Sequence, residues 1–557
     1  MCQFVRGLNG IEPSNPNTGR LAPHRFHSIT GRLAQYRVNS DTGRLAHYRF
    51  HSNTGRLAQC RVHSDTGRLA PHRFHLSLRD ALRSLSELCR LSILCIVCIA
   101  MSIGMSIGLP IRLHASEGSR PPNIVFILAD DLGYGDCGCY GQTRLKTPNI
   151  DRLASQGLRW TQFYAGSTVC APSRCVLMTG KHTGRCLIRG NSKDNLPTDE
   201  KVFPEVLAQG GYKCGLFGKW GLGQAGSSGA PLRKGFSDFF GYLDQTHAHN
   251  FFPTFLDDMD GRKQLANIVP NESPAGAGVA SQRVDDATEL ILQKALAFVE
   301  DQREAPFFLF FSLNLPHANN EAGKVGTQDF GFGNYASTDW PDAEKGFAHL
   351  VEKMDAQVGT LVDRIDQLGL GSSTLIFFSS DNGPHHEGGH SDRFFESSGP
   401  LRGSKRDLID GGIRVPTIAR WTGTIAPSTT TEQLGSFDDL FPTFADLANR
   451  ASDVPSDGTG VSLVPTLMGK PGEQKQREYL YWSFYEGGMG QAIRTRDWKL
   501  VEQPFGTPAR LYEINSDLQE NHNVANRFPD IVADLKAKMN QAYKPGEGPW
   551  VLRPAKK

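Results

Sequence analysis

From Arg120 onward the chain alternates short, uniformly apolar runs with amphipathic stretches. That is the pattern of strands buried on both faces and joined by helices, and it predicts an α/β domain with a largely parallel central sheet. The runs Asn123–Leu128, Tyr212–Phe217, Phe307–Leu313 and Ser373–Phe378 are the clearest strands, and Ile413–Ala419 is a further apolar run. Between them, Pro172 suits the first turn of a helix that runs through Arg174, Cys175, Val176, Leu177 and Met178 until Gly180 stops it. Near Ala451–Thr459 the composition turns to Asp, Pro, Ser and Gly, which reads as a linker. Beyond it Glu478–Phe484, Gln491–Thr495, Trp498–Val501 and Arg510–Ile514 read as short meandering strands. Pro529–Tyr543 reads as an amphipathic helix with Ile531, Val532, Leu535 and Met539 on one face. The organisation expected is a main α/β domain over 119–450, a smaller C-terminal α+β domain with an antiparallel sheet over 460–545, and a tail from 546 to 557.

The front of the chain has a different pattern. Thr-Gly-Arg-Leu-Ala begins at Thr18, Thr30, Thr42, Thr54 and Thr66, a period of 12 residues. With few aliphatic residues and much Arg and His, residues 1–75 are expected to be disordered or to precede the true start. Residues 76–115 read as a signal peptide, with an anchor as the minority reading: Arg79, Arg83 and Arg90 lead into the apolar stretch Leu91–Leu109 and then Ala115. The mature protein is therefore expected to be exported, periplasmic or extracellular, without a stable membrane span. The first 115 residues hold 15 Arg against 5 acidic residues, net +10, so the rest carries −8 of the chain's total of +2. An acidic mature chain gives no reason to expect a nucleic-acid partner. Six of the 11 cysteines remain after residue 115, at 137, 139, 170, 175, 186 and 214, without the paired spacing of a zinc site.

Chemistry collects where the strands end. Asp130-Asp131 follows the first strand, Gly218-Lys219-Trp220 the second, Pro316-His317 the third and Asp381-Asn382-Gly383 the fourth, with Lys405 in a later loop. In parallel sheets ligands bind beyond these carboxyl ends. Asp130, Asp131, Asp381 and Asn382 would form a hard, all-oxygen set suited to Ca²⁺ or Mg²⁺, with no His placed among them. Cys170, in Cys-Ala-Pro-Ser-Arg, falls at a helix N-terminus, where unpaired amides favour an anion or a nucleophile, and Arg174 lies one turn on. A buried thiol, or a Cys170–Cys175 disulfide, would fit the same residues.

Taken together, the Cys170–Arg174 run with Leu177-Met178-Thr179-Gly180, Ala129-Asp130-Asp131, Gly218-Lys219-Trp220, Asp381-Asn382-Gly383, Gly403-Ser404-Lys405 and Gly411-Gly412-Ile413-Arg414-Val415-Pro416 resemble the type I sulfatases. These are formylglycine-dependent members of the alkaline phosphatase superfamily, and the resemblance covers about Pro121 to Tyr543. It implies an alkaline-phosphatase-like sandwich and a hydrolase that removes sulfate, from a sulfated glycan in the bacterial polysaccharide sulfatases it is similar to. It implies that a separate maturation enzyme reads Cys-x-Pro-x-Arg and oxidises Cys170 to Cα-formylglycine, whose hydrate attacks the ester. Asp130, Asp131, Asp381 and Asn382 match the family's ligands for calcium, which would also bind one hydrate oxygen of residue 170. Arg174, Lys219 and Lys405 match its cations around the sulfate, and His317 matches a candidate general acid. The family often has His two residues after the Lys, where this chain has Gly221. His247 or His249 would fill that gap, with His249 preferred, and His385 or His386 would face the sugar. Trp482, Phe484 and Tyr485 offer a sugar platform, although strand aromatics are usually core. His182 stays unassigned. Two alternatives remain at this level: a phosphate or phosphonate monoester hydrolase of the same superfamily, and a carbohydrate-binding protein with Cys170 unconverted.

Overall fold

The structure is a computed structural model that describes residues 120–546 and 549–554. The repeats, the leader and the last three residues of the tail lie outside the described residues. Ten strands form the main sheet. Its centre is β1 (Asn123–Ala129), β4 (Lys213–Lys219), β5 (Asp238–Tyr242), β8 (Phe307–Ser312) and β9 (Thr374–Ser380). Around them lie β2 (Leu158–Trp160), β6 (Phe255–Asp258), β7 (Gly261–Gln264), β10 (Thr417–Arg420) and β11 (Thr429–Thr431). The order is β11-β2-β10-β9-β1-β8-β4-β5-β6-β7. The middle five, β9, β1, β8, β4 and β5, are mutually parallel, so their carboxyl ends share one edge.

The apolar runs explain this arrangement. Every residue of β1, β8 and β9 is buried, and successive side chains point to opposite faces. Val125, Ile127, Leu309 and Phe311 enter one core with helices Ala287–Asp301 and Asp342–Gln367. Ile124, Phe126, Leu128, Phe308 and Phe310 enter a second core with helices Cys170–Thr179, Phe203–Gln209 and Leu440–Leu447. A single strand thus organises two cores, which makes a shift of register by one residue very costly.

The Ile413–Ala419 run is divided. A helical turn spans Asp410–Ile413 and antiparallel strand β10 begins only at Thr417. A short continuous apolar run cannot by itself distinguish a buried strand from a buried helical turn. Pro416, without an N–H, separates the two.

Two short strands, β3 (Phe163–Tyr164) and β12 (Gly435–Ser436), pair with each other, and a smaller sheet of four antiparallel strands follows: β13 (Leu480–Phe484), β14 (Gly490–Arg494), β15 (Trp498–Glu502) and β16 (Arg510–Glu513), in sequence order. The Pro529–Ala542 helix covers one face through Leu535 and Met539, against Tyr481, Ile493, Leu500 and Leu511. The other face packs against the main sheet's loops: Trp482 and Phe484 lie with Tyr164, Val169, Ile409 and Ile413. Trp482, Phe484 and Tyr485 are all buried, so these aromatics are core and offer no sugar platform. The Ala451–Thr459 segment is tied down at its far end, where Thr459 Oγ1 donates to Asp438 at 2.6 Å.

A buried ion cluster joins the two sheets. Lys499 Nζ of β15 lies 2.6 Å from Asp410 Oδ1 and 3.0 Å from Glu520 Oε1, all three side chains being out of contact with water. The second pair is close enough for charge pairing without the alignment of a hydrogen bond. Tyr164 donates to the other Asp410 oxygen at 2.8 Å. Replacing Lys499 with Met would leave Glu520 without its cation and Asp410 with Arg414 alone, so urea unfolding should show a loss of about 3–5 kcal/mol. Arg152→Ala, which breaks the exposed pair to Asp363, should cost less than about 1 kcal/mol in the same measurement.

Candidate active site

The shared edge of the five parallel strands brings Asp130, Asp131, Lys219, His317, Asp381 and Asn382 together, and two loops add Cys170 and Lys405. Asp130 and Asp131 follow β1 directly, with the Asp130 N–H donating to Leu315 O at 3.0 Å. Asp131 has φ of 68°, a left-handed conformation that costs a non-glycine residue about 1–2 kcal/mol. Its N–H donates to Asp381 Oδ1 at 3.1 Å. Asn382 Nδ2 donates to Asp131 Oδ1 at 2.6 Å, which holds the two strand ends side by side.

Cys170 opens its helix after the extended Val169. Its Sγ lies 3.4 Å from Asp130 Oδ1, and the N–H of Ala171 donates to Asn191 Oδ1 at 3.0 Å. One turn on, Arg174 points back under the sheet edge. Its Nη2 and Nε donate to Asp381 Oδ2 at 2.8 and 3.1 Å, and Nη1 reaches Lys219 O at 2.8 Å and Ser312 Oγ. Lys219 Nζ pairs with Asp130 Oδ2 at 2.6 Å. Lys405 Nζ lies 2.7 Å from Asp131 Oδ2, 3.2 Å from His317 Nε2 and 3.3 Å from Glu387 Oε2. Cys170 and Cys175 are both free thiols, so no disulfide joins them.

Close backbone contact fixes the loop that carries Lys405. A Cβ on Gly383 would meet Gly411 O at 2.0 Å, and one on Gly411 would meet Gly403 O at 2.2 Å. Only glycine allows this approach. Lys405 N then donates to Pro384 O at 2.8 Å, which aims its side chain at Asp131.

The electrostatics are those of a closely compensated cluster. Burial disfavours the Asp130 carboxylate, but Lys219, His317 and Arg174 outweigh it and hold its pKa well below the ordinary range. Asp131 is also lowered: burial opposes, and Lys405 and His317 prevail. Burial, then the neighbouring Asp130 charge, push Asp381 up to about 7. Burial pushes the Cys170 thiol well above its usual value in spite of Lys219. A bare thiol there is protonated, unlike the activated cysteines of thiol enzymes.

The expected oxygen set fits a cation on an observation of its own. Asn382 Oδ1 is buried with no hydrogen-bond partner, while the same amide's Nδ2 is on Asp131, and an orphaned acceptor of that kind suits a hard divalent ion. One expectation changes, because a histidine does stand in this set. His317 Nε2 is 3.3 Å from Asp131 Oδ2, and Asp130, Asp131, Cys170 and His317 together could hold a metal. Sequence spacing cannot show that the loop after β8 folds back over β1.

The remaining histidines separate. His317 Nδ1 donates to Ala318 O at 2.7 Å, which leaves Nε2 as the acceptor facing Lys405. Burial and then Lys405 lower its pKa to about 3, so the ring is neutral. His249 stacks on its face, with ring centres 4.6 Å apart, and its Nδ1 lies 3.2 Å from Glu321 Oε2. His385 is fully buried, its Nε2 on Pro316 O at 3.2 Å, and does not face outward towards a sugar. His386 is exposed. His247 is buried on Phe255 O, and His182 packs against Tyr481. The space beside Gly221 is filled by Gln245, not by a histidine.

Three participants were missed in the sequence. Glu387 joins Lys405, His317, Asn320 and Arg406. Its only signal was an acid directly after His385-His386. Ser312, the last residue of β8, was hidden inside an apolar run. Arg406 was hidden behind Lys405.

Residues 122–450 match the family model described as Sulfatase, and residues 403–545 match that described as N-sulphoglucosamine sulphohydrolase, C-terminal. Human arylsulfatase A is 34% identical over 469 residues, covering 75% of this chain and 87% of that protein. The N-acetylgalactosamine-6-O-sulfatase of Bacteroides thetaiotaomicron is 28% identical, covering 75% of this chain and 92% of that protein. The solved structure of Ps i-CgsB in complex with k-i-k-neocarrahexaose superposes with a TM-score of 0.65 at 25% identity, covering 78% of this chain and 95% of that one. With one family model running from β1 to beyond Lys405, and with relatives matched along most of their length, the chain belongs to the sulfatase family, has its alkaline-phosphatase-like fold, and is a sulfatase.

Proposed function

We propose that the protein removes sulfate from a sulfated carbohydrate, with Cys170 converted to Cα-formylglycine and a calcium ion held by Asp130, Asp131, Asp381 and Asn382. The observation that carries this reading is a buried, unactivated Cys170 at a helix N-terminus, 3.4 Å from Asp130 and beside Lys219 and Lys405. The carbohydrate part is supported by relatives named for N-acetylgalactosamine and by the saccharide in the Ps i-CgsB complex. Catalysis is assigned to 119–450, braced by the domain at 460–545. Export is the reading we keep for localisation; no helix among the described residues is long and apolar enough to cross a membrane.

In this reading the chain's own residues bind, orient and compensate charge. The Cys170–Thr179 helix N-terminus and Lys219 attract the sulfate anion. Arg174 holds Asp381 and the Lys219 carbonyl in place from behind the sheet edge. Lys405 stabilises charge that grows on the transferring group. His317, neutral with Nε2 as acceptor, would take a proton from solvent before it could protonate the leaving oxygen, while Lys405, its pKa raised by the carboxylates around it, keeps its own. When bound, calcium would polarise a sulfate oxygen and lower the pKa of the attacking group. The formylglycine hydrate would supply two geminal oxygens, one to attack and one to expel sulfate later. Cys170 is 2% exposed, so a maturation enzyme that reads Cys-x-Pro-x-Arg has to act before the chain folds.

Mass spectrometry of the Cys170 peptide from native protein should find an aldehyde, and Cys170→Ala should abolish turnover. On one phenol carrying either group, the sulfate ester should be cleaved faster than the phosphate ester, whereas the reverse preference would reassign the reaction to phosphorus. Calcium should raise the melting temperature of the wild type by mass action, chelation should reverse it, and Asp381→Asn should remove the effect. Absence of any calcium-dependent shift in the wild type would refute the ion site. Lys405→Met should lower kcat about 10²- to 10³-fold, with a smaller change in KM.

A further inference from the structure

The aromatics at the end of β13 are core, but one aromatic further along the chain is not. Trp550 lies in the tail after the Pro529–Ala542 helix, past residue 545, where the second of the two matched family models ends. It is neither buried nor free in solvent. The tail folds back so that Gly546 N donates to Trp550 O at 3.1 Å, and further on Leu552 N donates to Tyr543 Oη at 3.0 Å. The indole N–H donates to Asp194 Oδ2 at 3.2 Å, and the ring meets Tyr485 edge-on with centres 5.7 Å apart. The indole is thus held in one orientation from two sides.

Its place in the fold leads back to the nucleophile. The ring rests on Gly190, where a Cβ would lie 2.6 Å from Cζ3 and 2.8 Å from Cη2 of the indole, so any side chain at 190 would push the ring away. The next residue, Asn191, donates its N–H to Glu486 Oε1 at 2.8 Å and accepts the Ala171 N–H on its side chain at 3.0 Å. Ala171 follows Cys170. About three residue lengths therefore separate the indole from residue 170, roughly 10–15 Å. The surface around this path is open, with Asn191, Lys193, Asp194, Gly487 and Gly488 exposed. Its acids are already engaged, Asp194 Oδ2 by Ser192 and Trp550 and Glu486 Oε1 by Asn191, and Lys193 adds a cation.

We infer that Trp550 is a saccharide-binding residue outside the ester site, its indole stacking on the apolar face of a sugar that lies further along the chain than the one bearing the sulfate. The inference rests on the sulfated-carbohydrate reading and deepens it: the substrate is an oligosaccharide or polysaccharide, and a lone sulfated sugar leaves the indole unused. An indole offers a large apolar face with few rotors to freeze, and its N–H bond and its seat on Gly190 fix it before the glycan arrives. The tail therefore contributes the platform that Trp482, Phe484 and Tyr485, all buried, do not.

The test uses the full chain in two forms, the matured enzyme for rates and Cys170→Ala for binding, each with and without Trp550→Ala or Trp550→Phe. The probes are mono-, di- and tetrasaccharides of sulfated N-acetylgalactosamine and of sulfated galactose, with para-nitrophenyl sulfate as an ester that carries no sugar. In calorimetry, Cys170→Ala should bind the tetrasaccharide of the preferred series more tightly than the monosaccharide. Trp550→Ala should weaken tetrasaccharide binding about 3- to 10-fold, and Trp550→Phe, which keeps an aromatic face, should retain most of the affinity. On the matured enzyme Trp550→Ala should raise KM for the tetrasaccharide and leave its kcat, and kcat/KM on the monosaccharide and on para-nitrophenyl sulfate, as in the wild type. Equal tetrasaccharide affinity with and without the indole overturns the inference. So does a loss of the same size on para-nitrophenyl sulfate, which would make Trp550 a brace for the Asn191 segment. If the wild type cleaves saccharides and the Trp550 variants match it at every length, only the inference fails. If it cleaves para-nitrophenyl sulfate and neither binds nor cleaves any saccharide, the carbohydrate reading fails and the inference with it.

Discussion

Four carboxylates share one small volume at the edge of a parallel sheet, and the protein tolerates them because four cations face them. Asp130, Asp131, Asp381 and Glu387 are matched by Lys219, Lys405, Arg174 and Arg406. Either set alone would be prohibitively costly to bury. Paired, the cluster is close to neutral, so a divalent cation would leave it positive and ready for an anionic ester. That balance depends on atoms held to within a few tenths of an ångström by strand ends that cannot slip.

The constraint passes outward through backbone, not through flexible side chains. Glycines at 383 and 411 let three loops press carbonyl against Cα, and the Lys405 loop is held from behind by the turn at Asp410–Ile413. That turn is in turn gripped by Lys499 from the antiparallel sheet. The smaller sheet therefore acts on the chemistry at one remove. It supplies no side chain to the cluster, but it fixes the loop that does.

The histidines show how environment divides one residue type among several tasks. His317, within reach of two acids and an ammonium, is kept neutral with a defined tautomer. His249, stacked upon it, keeps contact with Glu321. His385 spends both ring nitrogens on backbone, accepting from Glu387 N and facing Pro316 O. A neighbour in sequence such as His386 is simply exposed.

Much of this was legible before any coordinates. Uniformly apolar runs such as Phe307–Leu313 require burial on both faces, which in turn requires a parallel sheet with helices on each side. Acids, Lys219 and His317 directly after such runs must then lie on its carboxyl edge. What the one-dimensional chain could not decide was direction and distance. Whether Trp482 and His385 face solvent or core, whether Ile413–Ala419 is one element or two, and whether a histidine stands among the oxygen ligands all depend on which loop folds over which strand end. Glu387 belongs to the same class. A lone Glu in a polar loop carries no periodic signal, and its place beside Lys405 and His317 follows only from the partners that tertiary packing assigns.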